Sequence, residues 1–218
     1  MPSVSIFDIQ DDEGRKTVQM IRNAGGEAAF FHADVTRDEE INAAFDAALA
    51  TFGPYNILFN HAGTIIVKPM HETTEEEYDW LMDVNVKSAF LTCRRAVQDM
   101  NANGGGSIVI TSSIAAERGY ALESVYCMSK GAVLQLARTI STEYRDAGIR
   151  CNAVCPGFVE TDMVAALPDE IKQSLLSNIP LGRFGTAEEV GETVAFLCGP
   201  NGGWYTGSQL TMNGGQYM

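Results

Sequence analysis

Tyr126 and Lys130 stand four residues apart in a segment, Glu123 to Arg138, whose apolar residues recur at helical spacing. A phenol and an ammonium at that separation share one helix face. Just upstream, the apolar run Ser107-Ile108-Val109-Ile110 ends in Thr111-Ser112-Ser113, which puts a hydroxyl at a strand end. A free phenol ionises near pH 10 and is a weak acid or base at neutrality. A neighbouring ammonium favours the phenolate and is expected to lower that pKa. Tyr126 then becomes a candidate proton donor to a carbonyl, or proton acceptor from an alcohol. Ser113 is placed to hydrogen-bond the same substrate oxygen. A Tyr and a Lys at this spacing also occur on ordinary helices. The hydroxyl at the strand end makes three roles converge.

These side chains need a frame, and the chain supplies one by alternation. Strands are expected at Val4–Phe7, Ala28–Ala33, Ile57–Phe59, Ser107–Ile110, Ile149–Val154 and Gln209–Met212. Between them lie segments of helical period. Asp11 to Ala24 has Val18, Met20 and Ile21 as its expected buried side and stops at Gly25-Gly26. A second helix, capped by Thr36 or Asp38, presents Ile41, Ala44, Phe45, Ala48 and Leu49. A third, capped by Thr73 or Thr74, runs from Glu75 toward Met100. Residues 161–180 read as partly helical, and Ala187–Leu197 as a last helix. Apolar strands alternating with amphipathic helices predict an α/β fold: a three-layer, doubly wound, mostly parallel sheet of about six strands. No linker or repeat interrupts residues 1–218, so one domain is expected. In such sheets ligands bind beyond the carboxyl ends of the strands. Asp8, Asp34, Asn60, Ser113 and Pro156 all fall at such ends.

Composition narrows the function classes. Of 218 residues 45% are hydrophobic, and the formal net charge is −13. A polyanion is a poor electrostatic partner for nucleic acid or an anionic membrane, so neither is expected. No apolar run is long enough to span a membrane and no signal-peptide pattern opens the chain. Five cysteines without framework spacing suggest reduced thiols and a cytoplasmic protein. Cys151 and Cys155 are four apart in an expected strand, too far for a disulfide. No metal site is expected, since His61 has no suitably spaced partner.

Ser113, Tyr126 and Lys130 in this order resemble the short-chain dehydrogenase/reductase family. So do Asp34-Val35-Thr36, Asn60-His61-Ala62-Gly63, Asn85 within Asp83-Val84-Asn85-Val86, and Pro156-Gly157 followed by Thr161. The likeness covers essentially the whole chain. It implies a Rossmann-like domain and an oxidoreductase moving a hydride between a nicotinamide and an alcohol or ketone. Tyr126 would be the general acid/base. Lys130 would lower its pKa and hold the nicotinamide ribose, and Ser113 would orient the carbonyl. Asn85 would hold a water in a proton relay. By the same resemblance Asp8 meets the adenosine ribose, where a carboxylate repels a 2′-phosphate, so NAD is expected over NADP. Asp34 and Val35 would meet the adenine, and Asn60, Ala62 and Gly63 the loop beside the ribose. Pro156, Gly157, Val159 and Thr161 would form the nicotinamide platform and carboxamide contact.

One part of the family pattern is absent: its first strand, the T-G-x-x-x-G-x-G turn and the first helix. That turn cradles the pyrophosphate with backbone N–H groups. The strand belongs between Val4–Phe7 and Ile57–Phe59, and its absence exposes two edges. Three arrangements are open: a shortened reading of a longer chain, strands that re-pair across the gap, or a partner subunit that fills it. A second functional reading follows, a degenerate member with little or no dinucleotide bound, acting by assembly or small-ligand binding. Phe158, Val159, Met163, Val164 and Leu167, with Tyr120 and Leu122, are expected to line an apolar pocket for a small secondary alcohol or ketone. The family's pairing of the helices bearing Asn85 and Tyr126 implies a homodimer or homotetramer, with Gly214 to Met218 in a contact.

Overall fold

A computed structural model describes residues 3–165 and 167–217, with the side chains of Asp162 and Met163 outside the description. The first third carries β1 (Ser3–Asp8), α1 (Asp11–Asn23), β2 (Glu27–His32), α2 (Asp38–Phe52) and β3 (Ile57–Asn60). Next come α3 (Glu75–Met82), a π-helical turn (Asp83–Lys87), α4 (Ser88–Ala102), β4 (Gly106–Thr111) and α5 (Ser124–Glu143). The chain closes with β5 (Ile149–Pro156), the short α6 (Asp162–Ala165), α7 (Asp169–Leu176), α8 (Ala187–Cys198) and β6 (Gln209–Met212). Every strand pair is parallel. The expected α/β architecture with six strands is present, but the strands form two sheets, β1-β2 and β3-β4-β5-β6.

Local chemistry explains most element ends. Asp11, Asp12 and Glu13 occupy the first turn of α1, where the helix dipole favours negative charge. Gly25 takes φ 81° after its last turn, a conformation glycine adopts without steric cost. Thr74 caps α3 reciprocally with Glu77. The second helix differs from expectation: Arg37 is its N-cap residue, with no side-chain cap. The Asp34 carboxylate instead binds Thr36, which closes the turn ahead of the helix. On α1, Val18 is buried, but Met20 is 70% exposed and does not belong to the apolar side. Two residues on from Val18 is about 200° around the helix.

The layers are set by strand alternation. On one side of both sheets, Phe7 and Leu58 pack against Ile41, Phe45 and Leu91 of α2 and α4. Phe45 lies edge-on to Phe7 at 5.0 Å and touches Tyr55 at 5.4 Å. The largest core cluster continues that layer, joining Ile108, Ile110, Cys151 and Ala153 of β4 and β5 to α4 and α5. On the other side, Val109 and Val154 meet Val194 and Leu197 of α8. β1 and β3 do not pair with each other: β1 has only β2 as neighbour and β3 only β4 among the described residues. A single wall of α2 and α4 holds the two sheets side by side.

Candidate active site

The carboxyl end of β4 and the first turns of α5 meet through a seryl hydroxyl. Ser112 donates from its backbone N–H to the Val154 carbonyl of β5 and from Oγ to the Lys130 carbonyl at 2.8 Å. This fixes α5 across the sheet end. Ser113 is extended, and its Oγ accepts from the Ala115 N–H at 3.1 Å. The Ser113 side chain also lies close enough to the Tyr126 phenol to pull its pKa down. Lys130 is only 5% exposed. Its Nζ donates to the Thr111 carbonyl at 3.1 Å and lies over the Tyr126 ring, 5.6 Å from the centroid. Ser113, Tyr126 and Lys130 therefore converge.

Electrostatics depart from the sequence-based expectation. Burial pushes the Tyr126 phenol up, and Ser113 offsets this only in part, with Glu123 and Cys127 adding to the rise. The net direction is upward, not downward. Lys130 itself is pushed down to about 8, chiefly by burial. An amine that sheds its proton so readily is a weakened source of positive charge for its neighbour.

Behind the lysine stands Asn85, buried in the π-helical turn. Its amide oxygen accepts from the Thr64 N–H at 2.7 Å. Its nitrogen donates to the Thr64 carbonyl and the Ser129 hydroxyl, each at 2.9 Å. π-Helical turns recur at functional sites, where they re-aim a side chain. Here the turn ties the loop after β3 to α5. A Cβ on Gly63 would stand 3.3 Å from Lys130 Nζ and 3.4 Å from Asn85 Oδ1, so glycine lets that loop close on both groups. Asn85→Ala would remove all three bonds and leave the half-buried Thr64 N–H and carbonyl without them. We expect a loss of about 2–4 kcal/mol, read as a lower urea midpoint.

Other expected residues are placed as follows. The Asn60 amide is spent inside the fold, on Thr92 Oγ1 at 2.5 Å and the Ala89 carbonyl of α4. Ala62 and Gly63 are exposed at the end of β3. Pro156 ends β5, and Cys155 just before it neighbours Ser112, Ser113 and Lys130. Gly157 is held by the Met212 carbonyl. Val159 bridges to Gly185, and Thr161 is exposed. Asp8 and Asp34 sit on the other sheet, at the ends of β1 and β2, with Val35 beside Asp34. One Asp8 oxygen accepts from the Gln10 N–H, and one Asp34 oxygen is used by Thr36. Asp34 is held below its usual range chiefly by the Thr36 N–H. Of the expected pocket residues, Phe158 and Val159 line a cavity of about 170 Å³ with Ile179, Leu181, Phe184 and Met212. Neither Ser113 nor Tyr126 lines it. Val164 packs with Ile179 and Phe184, and Leu122 is exposed. Sequence reasoning missed Thr111, Ser112 and Ser129, whose hydroxyls and carbonyls aim the site. The run Thr111-Ser112-Ser113 at a strand end was the available signal.

Comparisons with known proteins follow this geometry. The family described as enoyl-(acyl carrier protein) reductase matches residues 3–216. An uncharacterized oxidoreductase of Thermotoga maritima is 39% identical over 218 residues, covering 97% of this chain and 86% of that protein. The 2-(R)-hydroxypropyl-CoM dehydrogenase of Xanthobacter autotrophicus is 39% identical over 187 residues, 84% of this chain and 75% of its own. The Staphylococcus aureus 3-oxoacyl-[acyl-carrier-protein] reductase FabG is 32% identical over 207 residues, covering 95% and 84%. Among solved structures, a 7α-hydroxysteroid dehydrogenase complexed with NADH and 7-oxo glycochenodeoxycholic acid superposes with a TM-score of 0.93 at 32% identity. That fit covers 98% of this chain and 84% of that one.

Proposed function

The chain belongs to the short-chain dehydrogenase/reductase family of oxidoreductases, and from that premise we propose that it interconverts a small, largely apolar secondary alcohol and its ketone with NAD(H). The observation that carries the proposal is the convergence of Ser113, Tyr126 and Lys130 at the carboxyl end of β4. When bound, the nicotinamide supplies or accepts the hydride. Tyr126 holds the proton that a carbonyl oxygen takes up, Ser113 orients that oxygen by hydrogen bonding, and Lys130 supports the phenol from the side of its ring. Asn85 fixes the loop behind Lys130. Gly63 lets the loop after β3 close onto Lys130 and Asn85. Asp8, Asp34 and Val35 would serve the adenosine half, and Ala62, Gly63, Pro156, Gly157, Val159 and Thr161 the remainder. Asn60 acts by positioning that loop. The sequence contains no glycine-rich turn for the pyrophosphate.

NAD over NADP is supported by Asp8 and by the NADH in the hydroxysteroid dehydrogenase complex. Repulsion between the carboxylate and a 2′-phosphate is on the order of 1–2 kcal/mol in a solvated site. Calorimetric titration should therefore give NAD binding about tenfold tighter than NADP, with the gap narrowed in Asp8→Asn. Equal affinities would remove the NAD assignment. Absence of binding by both would favour the second reading, a degenerate member acting by assembly or small-ligand binding, which the lack of a glycine-rich turn in the sequence motivates. We read the chain as one domain that pairs into a dimer or tetramer. Exposed Trp80, Phe90 and Met128 along α3 to α5 support that pairing. Free cysteines support a cytoplasmic reading. No helix of the described residues is long and apolar enough to cross a membrane.

A further inference from the structure

The loop that leads into α5 carries a carboxylate the fold does not use. Leu122 takes φ 69°, a left-handed conformation that strains a residue with a side chain. The Lys68 N–H holds it there by donating to the Leu122 carbonyl at 2.8 Å. This turn delivers Glu123 as the N-cap residue of α5. A polar side chain at that position ordinarily accepts from the free N–H groups of the first turn. The Glu123 side chain makes no such bond. It is half-buried, and burial alone moves its carboxyl, upward, with no donor or cation among the described residues to offset it. The cations of the adjoining loops are engaged elsewhere. Lys68 gives its ammonium to both Glu77 oxygens, at 2.7 and 2.8 Å. Arg118 lies over the Tyr120 ring, 5.6 Å from the centroid. Glu123 stands one turn ahead of Tyr126, and its charge reaches the phenols of both Tyr120 and Tyr126. The Tyr120 hydroxyl is itself buried without a partner among the described residues.

We propose that Glu123 and Tyr120 form the polar end of the substrate site and bind the ammonium of an otherwise apolar amino alcohol or amino ketone, its nitrogen on the carbon next to the reacting one. A carboxylate withdrawn from water without a partner is costly, and a ligand cation removes that cost. An ammonium has three donors, enough for the Glu123 carboxylate and the Tyr120 oxygen together. The chain's net charge of −13 draws cations toward it. Glu123 thus sets specificity and takes no part in the proton transfer, which stays with Tyr126. The inference rests on the oxidoreductase reading for the reacting carbon, and its test reads binding instead of turnover.

The test is ligand-observed NMR titration of the full chain, with NADH present because it cannot oxidise an alcohol. The probes are 2-amino-1-phenylethanol, its neutral isostere 1-phenyl-1-propanol and the anion mandelate. The expected order of affinity is cation, neutral compound, anion, with at least about tenfold between the first two. Glu123→Gln, which keeps the shape and removes the charge, should abolish that gap. Glu123→Arg should reverse the order in favour of mandelate, a result that a merely structural role for Glu123 would not give. Equal binding of the three probes, a cation preference unchanged in Glu123→Gln, or no binding of the cation would each overturn the proposal. Turnover is then measured separately with NAD. Oxidation of the neutral alcohol without any preference for the cation removes the role of Glu123 and leaves the oxidoreductase reading standing. A cation preference with no turnover of any probe does the reverse.

Discussion

Replacing Tyr126 by phenylalanine should reduce turnover by about 10²–10⁴-fold while leaving the fold intact, because a positioned proton donor contributes about that much. The ring stays, so its contact with Lys130 survives. What is lost is one hydroxyl and its link to Ser113. Circular dichroism and the unfolding midpoint should match the wild type within about 1 kcal/mol. A variant retaining activity would remove Tyr126 from the chemistry. The direction of the phenol's pKa adds a pH signature. Because burial raises it, the phenol is protonated at neutrality and suited to giving a proton to a ketone. Alcohol oxidation needs the phenolate, so its rate should climb as pH rises above neutrality. Ketone reduction should fall over the same range. A flat oxidation profile from neutral to alkaline pH would contradict this placement.

Replacing Lys130 by methionine should make the protein more stable and nearly inactive. A lysine in the unfolded chain titrates near 10.5, whereas Lys130 in the fold is pushed down to about 8 by burial. Between those values the unfolded state binds more protons, so unfolding free energy rises with pH from about 8 to about 10.5. Below that window the folded protein carries the full cost of a buried ammonium, on the order of 2–3 kcal/mol. Methionine removes the cost and fills similar volume. The Thr111 carbonyl loses its donor, which offsets about 1 kcal/mol. The net gain is about 1–2 kcal/mol at neutral pH, seen as a melting temperature higher by about 2–6 °C. The rise of stability between pH 8 and 10.5 should vanish with it. A destabilised variant, or one with an unchanged alkaline profile, would show that the charge is not costing the fold anything. Turnover should drop by about 10²-fold or more.

The periodicities exposed most of the frame. An apolar run at Ser107–Ile110 and a period of 3.6 after Glu123 placed Ser113, Tyr126 and Lys130 on elements that do meet. Burial is not legible that way. The Tyr126 pKa was read from the Lys130 charge alone, whereas burial of the phenol itself turns the direction upward. Met20 was misplaced because apolar type was weighed over angular position. The helix expected from Glu75 to Met100 exists as α3 and α4 joined by a π-helical turn, which nothing in Asp83-Val84-Asn85-Val86-Lys87 announces. Asn60 was assigned with its loop, whereas its amide faces α4. Only the packed fold reveals which way a buried amide turns. That β1 and β3 would not pair with each other was not legible either, since this depends on the shared wall of α2 and α4.

The wide turn at Asp83–Lys87 has a bearing on how this chain can change. A π-helical turn holds one residue more than an α-helical one, so α3 and α4 are out of phase by roughly 100°. Leu81, wholly buried ahead of the turn, and Ala96, wholly buried after it, answer to separate registers. Substitutions that slide one half along its neighbours are thereby insulated from the other. Loss of a single residue inside the turn would join the registers and swing the Asn85 amide off Thr64 and Ser129 without touching any of the three side chains.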